Sequence, residues 1–209
     1  TTMAETAKLT ASDGKADDQF GNSVALSGDT ALVVAPGDDI GANTNQGSAY
    51  IFVQPGGGWV TTSTFTAKLT ASDGAANDDF GNSVAISGGT ALVGAAYDTI
   101  GANSSQGSAY IFVKPGGWTN MTETAKLTTS DGAANDRFGN SVALSGDTAV
   151  VGAESDTINA NVYQGSAYIF TKPASGWVTT STFTAKLIAS DGAANDSFGN
   201  SVAISDDTA

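Results

Sequence analysis

The hexapeptide Phe-Gly-Asn-Ser-Val-Ala occurs four times, at residues 20–25, 80–85, 138–143 and 198–203, with successive Phe residues 60, 58 and 60 positions apart. Identity recurring at that interval means that the chain repeats one supersecondary unit, because a single irregular fold has no reason to return to the same six residues. The 209 residues are therefore read as an array and not as one or two unrelated domains.

Each period contains the same four segments. Segment d is an alternating stretch, Thr6–Ala11, that returns at Thr66–Ala71, Thr124–Thr129 and Thr184–Ala189. A polar loop with Ser12-Asp13-Gly14 follows. Segment a is Ser23–Ser27 and segment b is Thr30–Ala35, with only Gly28-Asp29 between them; a Gly-x pair is a strong hairpin signal because Gly supplies the positive φ of a type II′ turn. The unbroken apolar run of segment b predicts burial on both faces. After a loop of Asp, Asn, Gly and Gln, segment c, Ser48–Val53, is β-branched and aromatic.

The hydrophobic fraction of 40% comes largely from Ala and Val, and 26 Gly with many Thr and Ser suit short strands and tight turns. The fold class expected is all-β, a β-propeller-type array of four-stranded antiparallel blades with about 3.5 blades in the chain. One opening d segment, three complete sets and a closing a segment predict 14 strands. The divisions are residues 1–19 (a d strand of a preceding blade and linker), 20–79, 80–137 and 138–197 (three blades), and 198–209 (the first strand of an incomplete blade). A second period is superposed: Thr2-Met3-Ala4-Glu5 resembles Asn120-Met121-Thr122-Glu123, and Val60–Phe65 returns as Val178–Phe183, 118 residues later. It suggests duplication of a two-blade unit.

Phe20-Gly21 with Val33-Val34-Ala35-Pro36, and Phe80-Gly81 with Val93-Gly94-Ala95, resemble the FG-GAP repeat. That repeat forms the blades of the integrin α-chain propeller and of many bacterial surface and secreted proteins, and the present variant is similar to the bacterial kind. The resemblance implies an extracellular or cell-surface location. The integrin type carries a calcium loop between its Phe-Gly strand and its Gly-Ala-Pro strand. Here only Gly28-Asp29, Gly88-Gly89, Gly146-Asp147 or Asp206-Asp207 stand at that place, and two residues cannot wrap an ion that takes six to eight oxygens.

The net charge of −13 argues against a nucleic-acid partner, which needs clustered Lys and Arg, and no apolar run is long enough for membrane insertion as a helix. With no Cys and no His, thiolate chemistry and the commonest general base are missing. In an up-and-down blade the d-to-a and b-to-c loops share one rim, which collects most of the Asp and Asn. Calcium held by carboxylates there is one expectation, with Asp38, Asp39 and Asn43 the richest cluster and Asp98 and Asp156 their repeat equivalents. The other is that Asp and Asn cap turns. Every acidic residue in the loops is read as having repeat-related equivalents, whereas a catalytic pair of carboxylates would break the symmetry, so no catalytic residue is assigned. Phe20, Gly21, Phe80, Gly81, Phe138, Gly139, Phe198 and Gly199 are read as the seams between blades, with Phe as a packing anchor and Gly permitting close approach. Trp59, Trp118 and Trp177 are read as packing residues. Asn103, Asn120 and Asn195 open Asn-x-Ser/Thr patterns that suit an extracellular chain.

These observations point to a non-enzymatic extracellular or cell-surface repeat protein with a structural, adhesive or assembly role. Its partners would be other copies of itself, or the rest of a longer array, joined through the terminal strands. The alternative is a calcium-dependent module on the acidic rim that binds glycans or surface proteins.

Overall fold

The structure, a computed structural model, describes residues 4–206. Among these there is no helix, and twelve strands form three antiparallel sheets. The first sheet contains β1 (Val24–Ser27), β2 (Thr30–Ala35), β3 (Ser48–Val53) and β4 (Ala67–Leu69). The second contains β5 (Val84–Ser87), β6 (Thr90–Ala95), β7 (Ser108–Val113) and β8 (Ala125–Leu127). The third contains β9 (Phe138–Ser145), β10 (Thr148–Ala153), β11 (Ser166–Thr171) and β12 (Ala185–Leu187). Strand order within each sheet follows chain order, so every connection is a hairpin.

The tight turns follow from their residues. Gly28, Gly88 and Gly146 have φ of +59°, +56° and +52°, while the residue after each keeps negative φ, the pattern of a type II′ turn that matches strand twist. Register then sets which side chains meet: Val33 faces Val24 on one side and Tyr50 on the other, and Tyr50 faces Lys68.

Alternation along the central strands gives each sheet two apolar faces, and the sheets stack to cover them. Leu32, Val34, Ile51 and Leu69 of the first sheet pack on Phe80, Val93, Tyr110 and Phe112 of the second. Leu92, Ile111 and Leu127 of the second pack in the same way on Phe138, Val151, Tyr168 and Phe170 of the third. The innermost strands also touch: Gly88 N–H donates to Ser27 Oγ (3.1 Å) and Gly146 N–H to Ser87 Oγ (3.2 Å).

Two expected strands do not form among the described residues. Thr6–Ala11 lacks the third strand on which β4, β8 and β12 pair, and it makes one parallel bridge, Leu9 to Thr62. The segment from Ser201 forms no strand among the described residues, and just before it Phe198 bridges to Gly165. Strand d is also shorter than expected, because after Leu69 the Thr70 N–H turns to Met121 O (3.3 Å) in the connection of the next blade.

That connection explains the two-blade alternation. Each c-to-d link reaches back to the d segment of the preceding blade, through Thr62, Met121 and Thr180. Thr61 and Thr179 cap the backbone N–H of Lys8 and Lys126 with a hydroxyl, whereas Asn120 caps Lys68 with an amide and Glu123 grips Ser72. Thr2 and Met3, and the turn residue Asp207, lie outside the described residues.

Candidate functional site

The d-to-a and b-to-c loops do share one rim. Asn43 Nδ2 donates to Gln46 Oε1 (2.9 Å) and to Gly74 O (3.0 Å) in the following blade's approach loop, and Asn103 and Asn161 repeat both bonds. Asp39 Oδ1 accepts from the Asn45 N–H (2.9 Å). These two residues of the expected calcium cluster thus brace the loop and its neighbour.

Asp38 does something different. It is buried, and its Oδ2 accepts from Ser48 Oγ (2.6 Å) and Tyr50 OH (3.0 Å) while the Lys68 ammonium lies 2.7 Å away. The same ammonium is 2.7 Å from Asp13, which belongs to the loop before β1, and sits 4.9 Å from the centre of the Tyr50 ring. Asp98 and Asp156 repeat the arrangement with Lys126 and Asp73, and with Lys186 and Asp131. Lys68 arrives there because Ala67 and Leu69 point to the next sheet, leaving the residue between them on the Tyr50 side.

The electrostatics follow. Burial works against the Lys68 charge, but hydrogen bonds with Asp13, Asp38 and Tyr50 outweigh it and hold the ammonium above its ordinary value. Burial, above all, pushes the Tyr50 phenol up to about 12. Asp13 and Asp73 are held below the usual carboxylate range, since their lysines overcome the effect of burial. A cation is already built in at each of these three sites, so calcium at Asp38, Asp98 or Asp156 would have to displace an ammonium. Among the described residues no group of three or more His, Cys, Asp or Glu is placed to hold a metal.

At the seams, Phe80 and Phe138 are fully buried, each meeting a Tyr and a Phe edge to face at 5.4–5.9 Å. Phe20 and Phe198, at the two ends of the stack, are only partly buried. Gly21, Gly81, Gly139 and Gly199 have φ of +92°, +104°, +94° and +84°, in the left-handed half of backbone space that glycine enters without strain. Trp118 and Trp177 are buried with an unpartnered indole N–H. Asn103 is the first residue of one Asn-x-Ser pattern, and its amide is committed to the rim bonds above.

The end of the stack that begins with β1 is open. Val24 and Leu26 are each 64% exposed, whereas their equivalents Val84 and Ile86 are each 8% exposed and Val142 and Leu144 are 6% and 9%. With Leu9, Phe20, Ala31 and Val33 they line an apolar groove of about 500 Å³. At the other end Phe198, Val202 and Ile204 lie over Val150, Ile169 and Leu187.

One group of rim residues was not legible as a site in the loop aspartates. Glu154 has no acidic equivalent, since Pro36 and Ala96 stand at its position, which corrects the expectation that every acidic residue of the loops recurs. Arg137, the single Arg of the chain, stands where Gln19, Asp79 and Ser197 do, and Tyr163 where Asn45 and Ser105 do. Alignment of the repeats position by position would have found them.

Two solved structures of computationally designed proteins are similar in part. Ika4 is 14% identical, with 91% of this chain and 81% of that one covered and a TM-score of 0.45. Ika8 is 11% identical, with coverages of 88% and 64% and a TM-score of 0.30. No curated protein matches the chain. The FG-GAP repeat family matches at residues 3–52, 63–112, 121–170 and 181–209, each full match running from a d segment through the third strand of the following sheet. The sequence repeat is therefore offset by one strand from the sheet, and the chain belongs to the FG-GAP repeat family.

Proposed function

We propose that this is a non-enzymatic extracellular or cell-surface repeat protein whose role is structural assembly, and that a second copy continues the stack head to tail. The observation that carries this reading is the contrast between Val24 and Leu26, exposed, and Val84 and Ile86, buried by the preceding blade. The open groove has the chemistry of the two internal interfaces, so what fits it is the face of another blade of the same kind. Contiguous apolar surface of this sort marks an interaction site.

The second copy offers such a face on its β10–β12 side. There Phe198–Ala203 now occupies the place that Phe80–Ala85 takes between the first two sheets, and it is identical to Phe20–Ala25. Exchange of one segment for the other is close to neutral in itself, and the burial of Val24, Leu26 and the rest of the β1–β2 face supplies the gain. A heterologous contact of this type propagates instead of stopping at a dimer.

Sedimentation velocity over a range of concentrations tests the reading. The native chain is expected to form dimers and longer species, and a Val24→Lys/Leu26→Lys variant to remain monomeric with an unchanged thermal midpoint. A native chain that stays monomeric at every concentration would overturn it.

A further inference from the structure

Three residues that depart from the repeat, a guanidinium, a carboxylate and an aromatic ring, meet at one point of the rim. Arg137, Glu154 and Tyr163 line a pocket of about 350 Å³ together with Ser155, Asn195 and Ser197. Arg137 Nη1 donates to Glu154 Oε1 (3.3 Å), and its guanidinium lies 5.4 Å from the centre of the Tyr97 ring, itself a departure from Gly37 and Ser155 at the equivalent places. Both Tyr97 and Tyr163 are well exposed.

Folding does not ask for these residues. Arg137 and Tyr163 have φ of +57° each, a region that Asn adopts readily and bulky side chains rarely do. The other copies of the loop satisfy the same backbone with Gln19, Asp79 and Ser197 at the first place and with Asn45 and Ser105 at the second. Two strained, bulky replacements, Arg137 and Tyr163, joined in the same pocket by the acidic departure Glu154, indicate selection for what the side chains touch.

We infer that this pocket is a binding site for an uncharged pyranose ring, as at the end of a neutral glycan. Its volume lies within the range of about 300–1,000 Å³ typical of small-ligand sites. The lining is polar, which disfavours an apolar ligand. Arg137 is already neutralised by Glu154 and the chain carries −13 overall, which disfavours an anion. An exposed Tyr ring offers its face to sugar C–H groups, and the Arg–Glu pair with Asn and Ser side chains offers donors and acceptors to ring hydroxyls. No metal is needed, and the site is independent of the end faces invoked for assembly.

The test is a chemical-shift titration of the ¹⁵N-labelled chain with the methyl glycosides of glucose, galactose, mannose and N-acetylglucosamine, with sialic acid as an anionic comparison. At least one neutral glycoside is expected to give saturable shifts at the Arg137 and Tyr163 amides. Arg137→Gln and Tyr163→Asn restore residues that the first blade carries at these places, so both variants are expected to fold with midpoints equal to or above the native one. Each should weaken the affinity by about tenfold or more. No saturable shift with any neutral glycoside, binding of sialic acid alone, or binding that survives both substitutions would each overturn the proposal. None of these outcomes bears on association, which is read from sedimentation.

Discussion

The ammonium of Lys126 lies 2.6 Å from the carboxylate of Asp73, a residue of the loop that leads into the second sheet, and so pins that loop to the strand at the sheet's opposite edge. Asp98, buried, shares the same ammonium at 2.7 Å. Three such centres, one per sheet, place a cation inside the acidic rim and leave it with less uncompensated charge than its composition suggests.

Lys126→Met is accordingly expected to destabilise the chain by about 3–5 kcal/mol, since it leaves Asp98 buried without its counter-ion. Adding Asp98→Asn should recover part of that loss. Lys8→Met, at the exposed repeat equivalent, should change stability by less than about 0.5 kcal/mol. Urea unfolding of the variants measures all of these, and millimolar calcium should raise the stability of Lys126→Met more than that of the native chain, because only the variant has a vacated cation position.

The carboxylates also set a pH dependence with two opposing arms. Burial pushes Asp78 and Asp136 up to about 6, against the pull of the Ala75 and Ala133 N–H groups and with help from Asp98 and Asp156. A carboxyl that binds its proton more tightly when folded contributes stability below its unfolded pKa of about 3.9 and loses it as pH rises through 6. Asp13 and Asp73, held low, contribute stability above about pH 3.9 and lose it as pH falls through their folded values. The thermal midpoint should therefore be higher near about pH 5 than near about pH 7.5, and fall below about pH 3.5. Asp78→Asn with Asp136→Asn should flatten the first arm and leave the second. A midpoint that is level between neutral and mildly acidic pH in the native chain would contradict this assignment.

Close backbone approach at the seam makes a sharp contrast between glycines. A Cβ on Gly107 would stand 2.0 Å from Phe138 O, and φ there is +86°. A Cβ on Gly101, at φ +63°, would meet nothing within 4 Å. Gly101→Ala should cost about 1–2 kcal/mol, the strain of the left-handed backbone alone. Gly107→Ala should cost more than about 4 kcal/mol or prevent folding, because blade and neighbour must separate. Equal effects in thermal melts would argue against the seam as drawn.

How much of this could be read beforehand differs by residue. The b and c segments, with their apolar and β-branched runs and Gly-x turns, fixed strands β2 and β3 and their equivalents to the residue. The d strand is shorter than its alternating segment, because alternation in Thr6–Ala11 and its copies carries no information on where the neighbouring link diverts the ladder. Lys68 sits at an alternating position that reads as solvent-facing; its role needs Asp13 from one loop and Asp38 from another, and neither pairing is local in sequence. Asp38 reads as a cation ligand, and the cation beside it is the Lys68 ammonium. Arg137, Glu154 and Tyr163 are each departures from the repeat, but that Arg137 of the loop before β9 meets the other two, on the β10–β11 loop, follows only from the packing of the rim.

The central claim, that the exposed β1 face is an internal blade interface waiting for a second copy, can be tested by covalent capture, since the native chain has no Cys. Between adjacent sheets the pairs Ser27 with Gly88 and Ser87 with Gly146 are in contact, so a continued stack would bring Ser145 of one copy to Gly28 of the next. Mixing Ser145→Cys chains with Gly28→Cys chains under mild oxidation should give mixed disulfide dimers in clear excess over either like pair, and the doubly substituted chain should give a ladder of oligomers. Chains that remain monomeric, or like pairs that outnumber mixed ones, would contradict it.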